Sequence, residues 1–411
     1  MGLDKLKILY ASTCPFLNTG YGKCTRYIVK GLKERGLDVI LYCPQVVSGR
    51  LTWGDVQILP ALSSRAYDPN EILKWYFSTN RNLLITHFDL WPLRALTELP
   101  ISWVPYTPID APLDSYTWEI NDVLLASNVP AIIAQSKFGY NEIRKIVKDE
   151  KPVYYIPHGV DTKLYRPLEP EHKSLARAVL HYPERFREGF VFGFVGRNTS
   201  DRKDIVGLLK AFKLFIENFR DARDVILVLW TNIDPEVGSS YDIPRLCKRY
   251  GIDGRVLLIP RHLQPPELYF EEKDIALAIA TFDWFVTMSS GEGFNLPLLE
   301  ALACGVPVLA NRNSAHIELV EDTSEYPYPR GILVKPKWTR PTLWTPTHQE
   351  YSFCDPWDFA QAMNLAYNIG TPSKLRKWCR EFAERFDWDK VIDNYWLPVL
   401  EKIATEVLKL G

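Results

Sequence analysis

The chain has 411 residues, 46% of them hydrophobic and 24% charged. That is enough for two or three domains with sizeable cores, and it excludes a disordered chain. A net charge of −1 gives no general electrostatic drive toward nucleic acid. Seven cysteines stand scattered at positions 14, 24, 43, 247, 304, 354 and 379 with no Cys-x-x-Cys pair. This argues against a zinc site or a disulfide framework and fits a reducing cytoplasm. No apolar run approaches the ~18–20 residues needed to span a bilayer, and the first five residues run straight into a strand with no leader ahead of it. A cytoplasmic protein is expected, with peripheral contact at a membrane left open.

In chain order, residues 7–11 read as a strand, 18–22 as a loop, and the next stretch as a helix with apolar Ile28, Val29 and Leu32 that stops at Gly36. Residues 39–42 are the following strand. Further short strands are predicted at 83–86, 103–106, 131–134 and 153–156, with helical stretches between some of them. Residues 166–188, with prolines and mixed charges, suit a linker. A second series then begins: strand 190–195, helix 205–218, and strands 225–230, 256–259, 284–288 and 306–310. Residues 336–357, rich in Pro and Trp (Trp338, Trp344, Trp357), read as a long irregular loop. This alternation predicts an α/β protein of two doubly wound domains of similar size, 1–170 and 171–387. Ligands of such sheets bind beyond the carboxyl ends of the strands, so two sheets facing each other would enclose an interdomain cleft.

The most informative stretch is SSGEGFNLPLLEALACGVPVLA at 289–310. Glu292 falls in a polar loop with Gly293, Phe294, Asn295 and Leu296 after it, and Glu300 falls one turn into a helix. Pro297 suits the first helical turn, and Asn295 or a neighbour can cap it. Gly305 and Pro307 stop the helix. Backbone N–H groups at such a helix start attract an anion. A carboxylate beside a phosphate is better placed to accept hydrogen bonds from hydroxyls, and phosphate with several hydroxyls describes a sugar nucleotide. Arg197 and Lys203 flank an earlier strand-to-helix loop, where two cations oppose the helix dipole unless an anion faces them. Gly20 and Gly22 stand between a strand and a helix and allow close approach of a ligand. They do not complete Gly-x-Gly-x-x-Gly, because Thr25 occupies the last position, which speaks against a nicotinamide dehydrogenase. His87 and Asp110 each follow a strand of the first domain.

Together these segments resemble the retaining glycosyltransferases of the GT-B fold, in particular glycosyltransferase family 4, the glycogen-synthase-like group. The resemblance rests on Gly20 to Gly22, on IPHGVDTKLYRP at 156–167, on GFVGRNTSDRKDIVGLLKAF at 193–212, and most specifically on 283–310. It implies that Arg197 and Lys203 hold the donor diphosphate, that Glu292 contacts the transferred sugar and Glu300 the ribose hydroxyls. It implies backbone donation around Gly293, Phe294, Asn295 and Leu296, and approach of Gly22 from the first domain. A C-terminal helix, 388–411, would pack back on that domain. Where the family often has a histidine, this chain has Ile109 in Tyr106-Thr107-Pro108-Ile109-Asp110, so acceptor positioning falls to Asp110 or His87.

The resemblance thus implies transfer of a sugar from a nucleotide-diphosphate donor to an acceptor hydroxyl with retention of configuration. Arg197, Lys203, Glu292, Asp110 and His87 form the catalytic set, with no metal and no cofactor beyond the nucleotide sugar. The acceptor class, whether glycan, lipid, protein or small molecule, stays open. A sugar-nucleotide epimerase or phosphorylase of the same fold, or a non-catalytic sugar-binding protein, is the alternative.

Overall fold

The computed structural model describes all residues except 1, 18, 47, 50, 64–65, 199–200, 220–223, 233–240, 259–270, 344 and 411. It divides into two compact units. Unit 1 comprises Met1–Gly159 with Phe386–Gly411, and unit 2 comprises Val160–Arg385. The division falls earlier than residue 170, and unit 1 takes its residues from both parts of the chain.

Unit 1 carries an eight-stranded sheet. Its elements are β1 (Lys7–Ala11), α1 (Gly20–Glu34), β2 (Asp38–Cys43), β3 (Leu51–Trp53), β4 (Val56–Pro60), α2 (Pro69–Ser78), β5 (Leu83–His87), β6 (Trp103–Thr107), α3 (Trp118–Leu125), β7 (Ile132–Ala134), α4 (Lys137–Val147) and β8 (Val153–Tyr155). The strand order is β3-β4-β2-β1-β5-β6-β7-β8. Every pair is parallel except β3 with β4, which run antiparallel at the edge. β5 and β6 are buried along their whole length, as strands covered by helices on both faces must be.

The Gly20–Gly22 segment is not a loop. It is the first turn of α1, and the Thr19 side chain accepts from Gly22 N at 3.0 Å. Cys24, Ile28 and Leu32, spaced four apart, bury one face of this helix. Gly36, at φ +83°, ends it: Gly36 N bonds Lys33 O (2.9 Å) and Leu37 N bonds Leu32 O (3.1 Å), a Schellman motif.

Unit 2 carries α5 (Pro170–Val179), β9 (Phe190–Val195), α6 (Ile205–Asn218), β10 (Val225–Trp230), α7 (Ile243–Tyr250), β11 (Val256–Leu258), α8 (Glu272–Ala280), β12 (Trp284–Thr287), α9 (Leu296–Ala303), β13 (Val308–Asn311), α10 (Ser314–Val320), β14 (Gly331–Val334), β15 (Trp338–Arg340), β16 (Tyr351–Phe353), α11 (Pro356–Ile369) and α12 (Ser373–Ala383). Six strands form a parallel sheet in the order β11-β10-β9-β12-β13-β14.

Two sequence expectations fail here. The 166–188 segment is no plain linker: it contains α5, whose Arg177 is buried and donates to Gly189 O (2.8 Å), Arg187 O (2.9 Å), Thr281 O (2.7 Å) and Asp283 Oδ2 (2.8 Å). One of the charges in the expected linker is a satisfied core group. Nor is 336–357 wholly irregular, because β15 and β16 pair antiparallel within it. Trp344 lies outside the described residues.

The chain returns to unit 1 through α13 (Trp388–Val391), a π-helical turn Ile392–Trp396, α14 (Leu397–Lys402) and a second π turn Ile403–Val407. Trp388 stacks on Tyr27 at 5.3 Å and 7°. Its ring fills the space a side chain at Gly159 would need: a Cβ there would stand 2.5 Å from the ring. Arg35 clamps Asp393 through two bonds, 2.5 and 2.9 Å, and Asp389 at 3.2 Å. Trp396 is fully buried against Tyr106 at 4.9 Å.

Candidate active site

In unit 2 the sheet order reverses between β9 and β12, because β10 lies on one side of β9 and β13 on the far side of β12. Loops leaving the carboxyl ends of two such strands diverge and open a crevice. The segment after β9 carries Arg197, Asn198 and Asp201 to Asp204, and the loop after β12 carries Met288 to Asn295.

These two loops are bonded to each other. Ser290 N donates to Arg202 O at 2.8 Å, and Ser290 Oγ donates to the same carbonyl at 2.9 Å. Asn311 and Asn313 both donate to Ser289 O, at 3.3 and 2.9 Å. The resulting frame presents Glu292, whose backbone N–H donates to Ser314 Oγ at 2.8 Å. Lys203 Nζ and Ser289 Oγ (2.6 Å) donate to Glu292 Oε1, and Arg202 Nη1 donates to Oε2 at 2.9 Å and to Gly291 O at 2.8 Å.

Glu292 is 5% exposed. Burial alone would raise its carboxyl pKa. Lys203 and Arg202 outweigh that and hold it far below the ordinary carboxylate range. Glu292 is therefore a permanent carboxylate. Three of its roughly four lone-pair directions are used by the donors named above, which leaves room for one further hydroxyl donor.

Asn295 begins α9. It sits in the left-handed region (φ +75°, ψ 73°), which Asn tolerates better than most side chains, and its Oδ1 accepts from Leu298 N at 3.3 Å. Its Nδ2 meets His316 Nε2 at 2.8 Å, while His316 Nδ1 meets Asn311 O at 2.8 Å. A carbonyl only accepts, so Nδ1 carries the imidazole proton and Nε2 accepts from Asn295. Burial lowers the pKa of this ring, which keeps it neutral. Glu300 lies one turn into α9 and is 2% exposed; Phe294 and Leu296 are also buried.

The structure thus brings Lys203, Glu292, Asn295 and Glu300 to one switch point. Arg197 leaves the same strand end but is exposed. Arg202, which the sequence reading passed over, grips Glu292 beside Lys203. Two neighbouring basic residues before a helix were the available signal. The segment around β15 and β16 also belongs to the site's frame. Ser352 N bonds Ser290 O (2.9 Å), and Asp201 accepts from Arg340 (2.5 Å) and Leu343 N (3.3 Å).

Gly20, Gly22, His87 and Asp110 lie in unit 1. Gly22 is held by packing: a Cβ there would stand 2.2 Å from Leu17 O. Gly20 is exposed. His87, last residue of β5, is fully buried among the rings of Tyr21 (4.9 Å), Tyr106 (4.8 Å) and His158 (5.4 Å). Asp110 is part-exposed, and its charge reaches the Tyr21 hydroxyl, which donates to Asp89 at 3.0 Å. Asp89 is a second acidic group that the sequence reading did not single out. Among the described residues, no helix is long and apolar enough to cross a membrane.

Residues 189–343 match the family model "Glycosyl transferases group 1". A curated relative, the probable sucrose-phosphate synthase of Thermosipho melanesiensis, is 22% identical over 65% of this chain and 52% of its own length. The chain spans about half the length of the curated relatives it matches. Among solved structures, the sucrose-phosphate synthase of Thermosynechococcus elongatus superposes with a TM-score of 0.71 at 18% identity, over 96% of this chain and 98% of that one. The Anabaena protein HepE, solved in complex with UDP-glucose, superposes with a TM-score of 0.68 at 17% identity, over 96% and 99%. The chain therefore carries a glycosyl transferases group 1 domain over residues 189–343, on a two-sheet α/β fold of the GT-B glycosyltransferase type.

Proposed function

We propose that the protein transfers a sugar from a nucleotide-diphosphate donor to an acceptor hydroxyl with retention of configuration and without a metal. The observation that carries this reading is the cluster at the β9/β12 switch point. A buried carboxylate, Glu292, is gripped by Lys203 and Arg202 beside the N-terminus of α9, one turn from the buried Glu300. Two cations beside the N–H groups of a helix start favour a diphosphate. The HepE complex with UDP-glucose supports a nucleotide sugar as the ligand class.

In this reading Lys203, Arg202 and Arg197 stabilise the leaving diphosphate as the bond from the anomeric carbon to the phosphate oxygen breaks, more strongly in the transition state than in the ground state. The acceptor oxygen bonds the anomeric carbon on the same face, and its proton passes to the departing phosphate oxygen. Glu292, being ionised, cannot serve as an acid. Its remaining acceptor position orients a donor-sugar hydroxyl. Glu300 takes the ribose hydroxyls, and Gly293, Phe294, Asn295 and Leu296 supply the backbone around the distal phosphate and sugar. On the acceptor side Asp110 fits better than His87, which has no exposed surface.

The test is a thermal-shift series with UDP, GDP and ADP, followed by donor hydrolysis with the nucleotide sugar of the stabilising base. A diphosphate that binds the native state raises the melting temperature in proportion to the logarithm of its concentration. No shift with any of the three at millimolar concentration would overturn the reading.

A further inference from the structure

Unit 1 holds a cluster that the reaction proposed above does not use. Cys24 on α1, His87 at the end of β5 and His158 just after β8 converge in the interior, at 1%, 0% and 5% exposure. One ligand atom from each, the Cys24 sulfur and a ring nitrogen of each histidine, lies within 4.8 Å of the other two. Both ring nitrogens of His87 are buried with no hydrogen-bond partner among the described residues. An imidazole always carries at least one N–H and, when neutral, one lone pair. Leaving them unmade in an apolar interior forfeits the hydration both atoms had in water, so this ring is built to meet something.

His158 is held differently. Its Nδ1 lies 2.7 Å from the Tyr106 hydroxyl, which leaves Nε2 as its other polar atom. A histidine whose second nitrogen is fixed by a hydrogen bond is the usual supporting arrangement of a metal ligand, since that bond sets the ring's orientation and tautomer. Tyr106 is in turn wedged by Trp396 at 4.9 Å. The Tyr10 hydroxyl, also buried without a partner, stands beside His87 with the ring centroids 6.2 Å apart.

We infer that Cys24, His87 and His158 form a structural site for a thiophilic d10 cation, Zn(II) or Cu(I), at the centre of unit 1. The donor set decides the class. One thiolate and two imidazoles suit these ions, whereas Mg(II) and Ca(II) require oxygen ligands. Metal bonds of about 2.0–2.3 Å place such ligands about 3.3–3.8 Å apart, so the three close by roughly 1 Å on the ion. Binding releases the Cys24 proton, and His158, ligating through Nε2, keeps its proton on Nδ1 and donates it to Tyr106. No metal enters the sugar transfer: the cation ties α1 to the ends of β5 and β8. The absence of a Cys-x-x-Cys pair argues against a zinc site built on one local segment, whereas these ligands come from three separate elements.

The test uses the full-length protein, loaded in separate arms with Zn(II) in air and Cu(I) under anaerobic conditions, desalted, and assayed for metal by mass spectrometry. One equivalent retained per chain in either arm, with X-ray absorption showing one sulfur and two nitrogen neighbours, is the expected result, and the arm retained identifies the ion. Replacement by Co(II) should produce thiolate-to-cobalt charge-transfer absorption. Cys24→Ala should abolish that band, and Tyr106→Phe should weaken binding about tenfold. The X-ray absorption measurement needs only the wild type, so a variant that fails to fold does not blunt the test. No retained metal in either arm, a neighbour shell without sulfur, or a cobalt band that survives in folded Cys24→Ala would overturn the assignment. Nucleotide binding is read separately, in unit 2, so either proposal can fail alone.

Discussion

Lys203 and Glu292, 89 positions apart in the chain, form a buried ion pair where the loop after β9 meets the loop after β12. Arg202 completes the pair from the same side, and the Ser289 hydroxyl fixes the first carboxylate oxygen. The three groups that would touch a donor are therefore also the groups that hold one another in place. Removing any of them should affect both stability and chemistry, and the two effects can be separated.

Lys203→Ala should lower turnover by about 10²–10³, the usual loss when one charge-stabilising donor is removed. It should cost only about 1–3 kcal/mol in stability, because Arg202 and Ser289 still serve Glu292. Lys203→Ala combined with Arg202→Ala leaves a buried charge without compensation and should cost about 3–5 kcal/mol. Adding Glu292→Gln should recover most of that stability and none of the turnover. Urea denaturation and steady-state kinetics on the same samples check this; near-normal turnover in Lys203→Ala would remove the diphosphate assignment.

Stability should respond to pH in opposite senses at two neighbouring carboxyls. Glu292 has a folded pKa below its unfolded one, so its contribution is complete above about pH 4.3 and is lost as pH falls below that. Asp204 caps α6 through Gly207 N at 3.0 Å, and burial pushes its carboxyl up to about 6. Its contribution is complete below about pH 3.9 and is lost as pH rises through about 6. Asp204→Asn keeps a capping oxygen and tolerates the left-handed backbone at φ 42°. This variant should match the wild type at pH 4 and exceed it at pH 8 by about 1–2 kcal/mol. Equal melting temperatures at pH 8 would show that the carboxyl is not desolvated.

Gly20 and Gly22 should differ sharply although both open α1. A methyl group at Gly22 would stand 2.2 Å from Leu17 O and 2.8 Å from Cys14 O, both backbone atoms that cannot rotate away. Gly22→Ala should destabilise unit 1 by about 1–3 kcal/mol. Gly20 is exposed and helical, so Gly20→Ala should be neutral or stabilising by up to about 1 kcal/mol. Equilibrium denaturation distinguishes them directly.

Trp396→Ala should cost about 3–5 kcal/mol, as expected for a fully buried aromatic. The melting transition of unit 1 should fall while that of unit 2, residues 160–385, stays in place. Calorimetry that shows both transitions falling equally would contradict that separation.

Much of this molecule was legible from its residues, for reasons that differ by region. The 289–310 stretch announced a helix start because Asn295, Pro297 and Gly305 each have a local conformational role, and local rules act through few neighbours. Strands such as 190–195 and 225–230 read clearly because parallel strands buried on both faces are continuous apolar runs. Arg202 was missed because its role depends on where Glu292 lies in space. β15 and β16 were missed because three-residue strands among prolines leave almost no periodic signal. Gly20 to Gly22 misled because glycine usually marks a loop, whereas here both open α1, which begins so close to the 14–17 backbone that only glycine fits at position 22.

The return of residues 386–411 to unit 1 has a consequence for biosynthesis. Unit 2 is a continuous stretch and can finish folding while the chain is still being made. Unit 1 cannot, because Trp388 and Trp396, which cover its Tyr27 and Tyr106, emerge only after unit 2. The usual order in which the N-terminal domain matures first is therefore reversed. Until unit 2 has been made, the early half of the chain lacks the two indole rings that cover its Tyr27 and Tyr106.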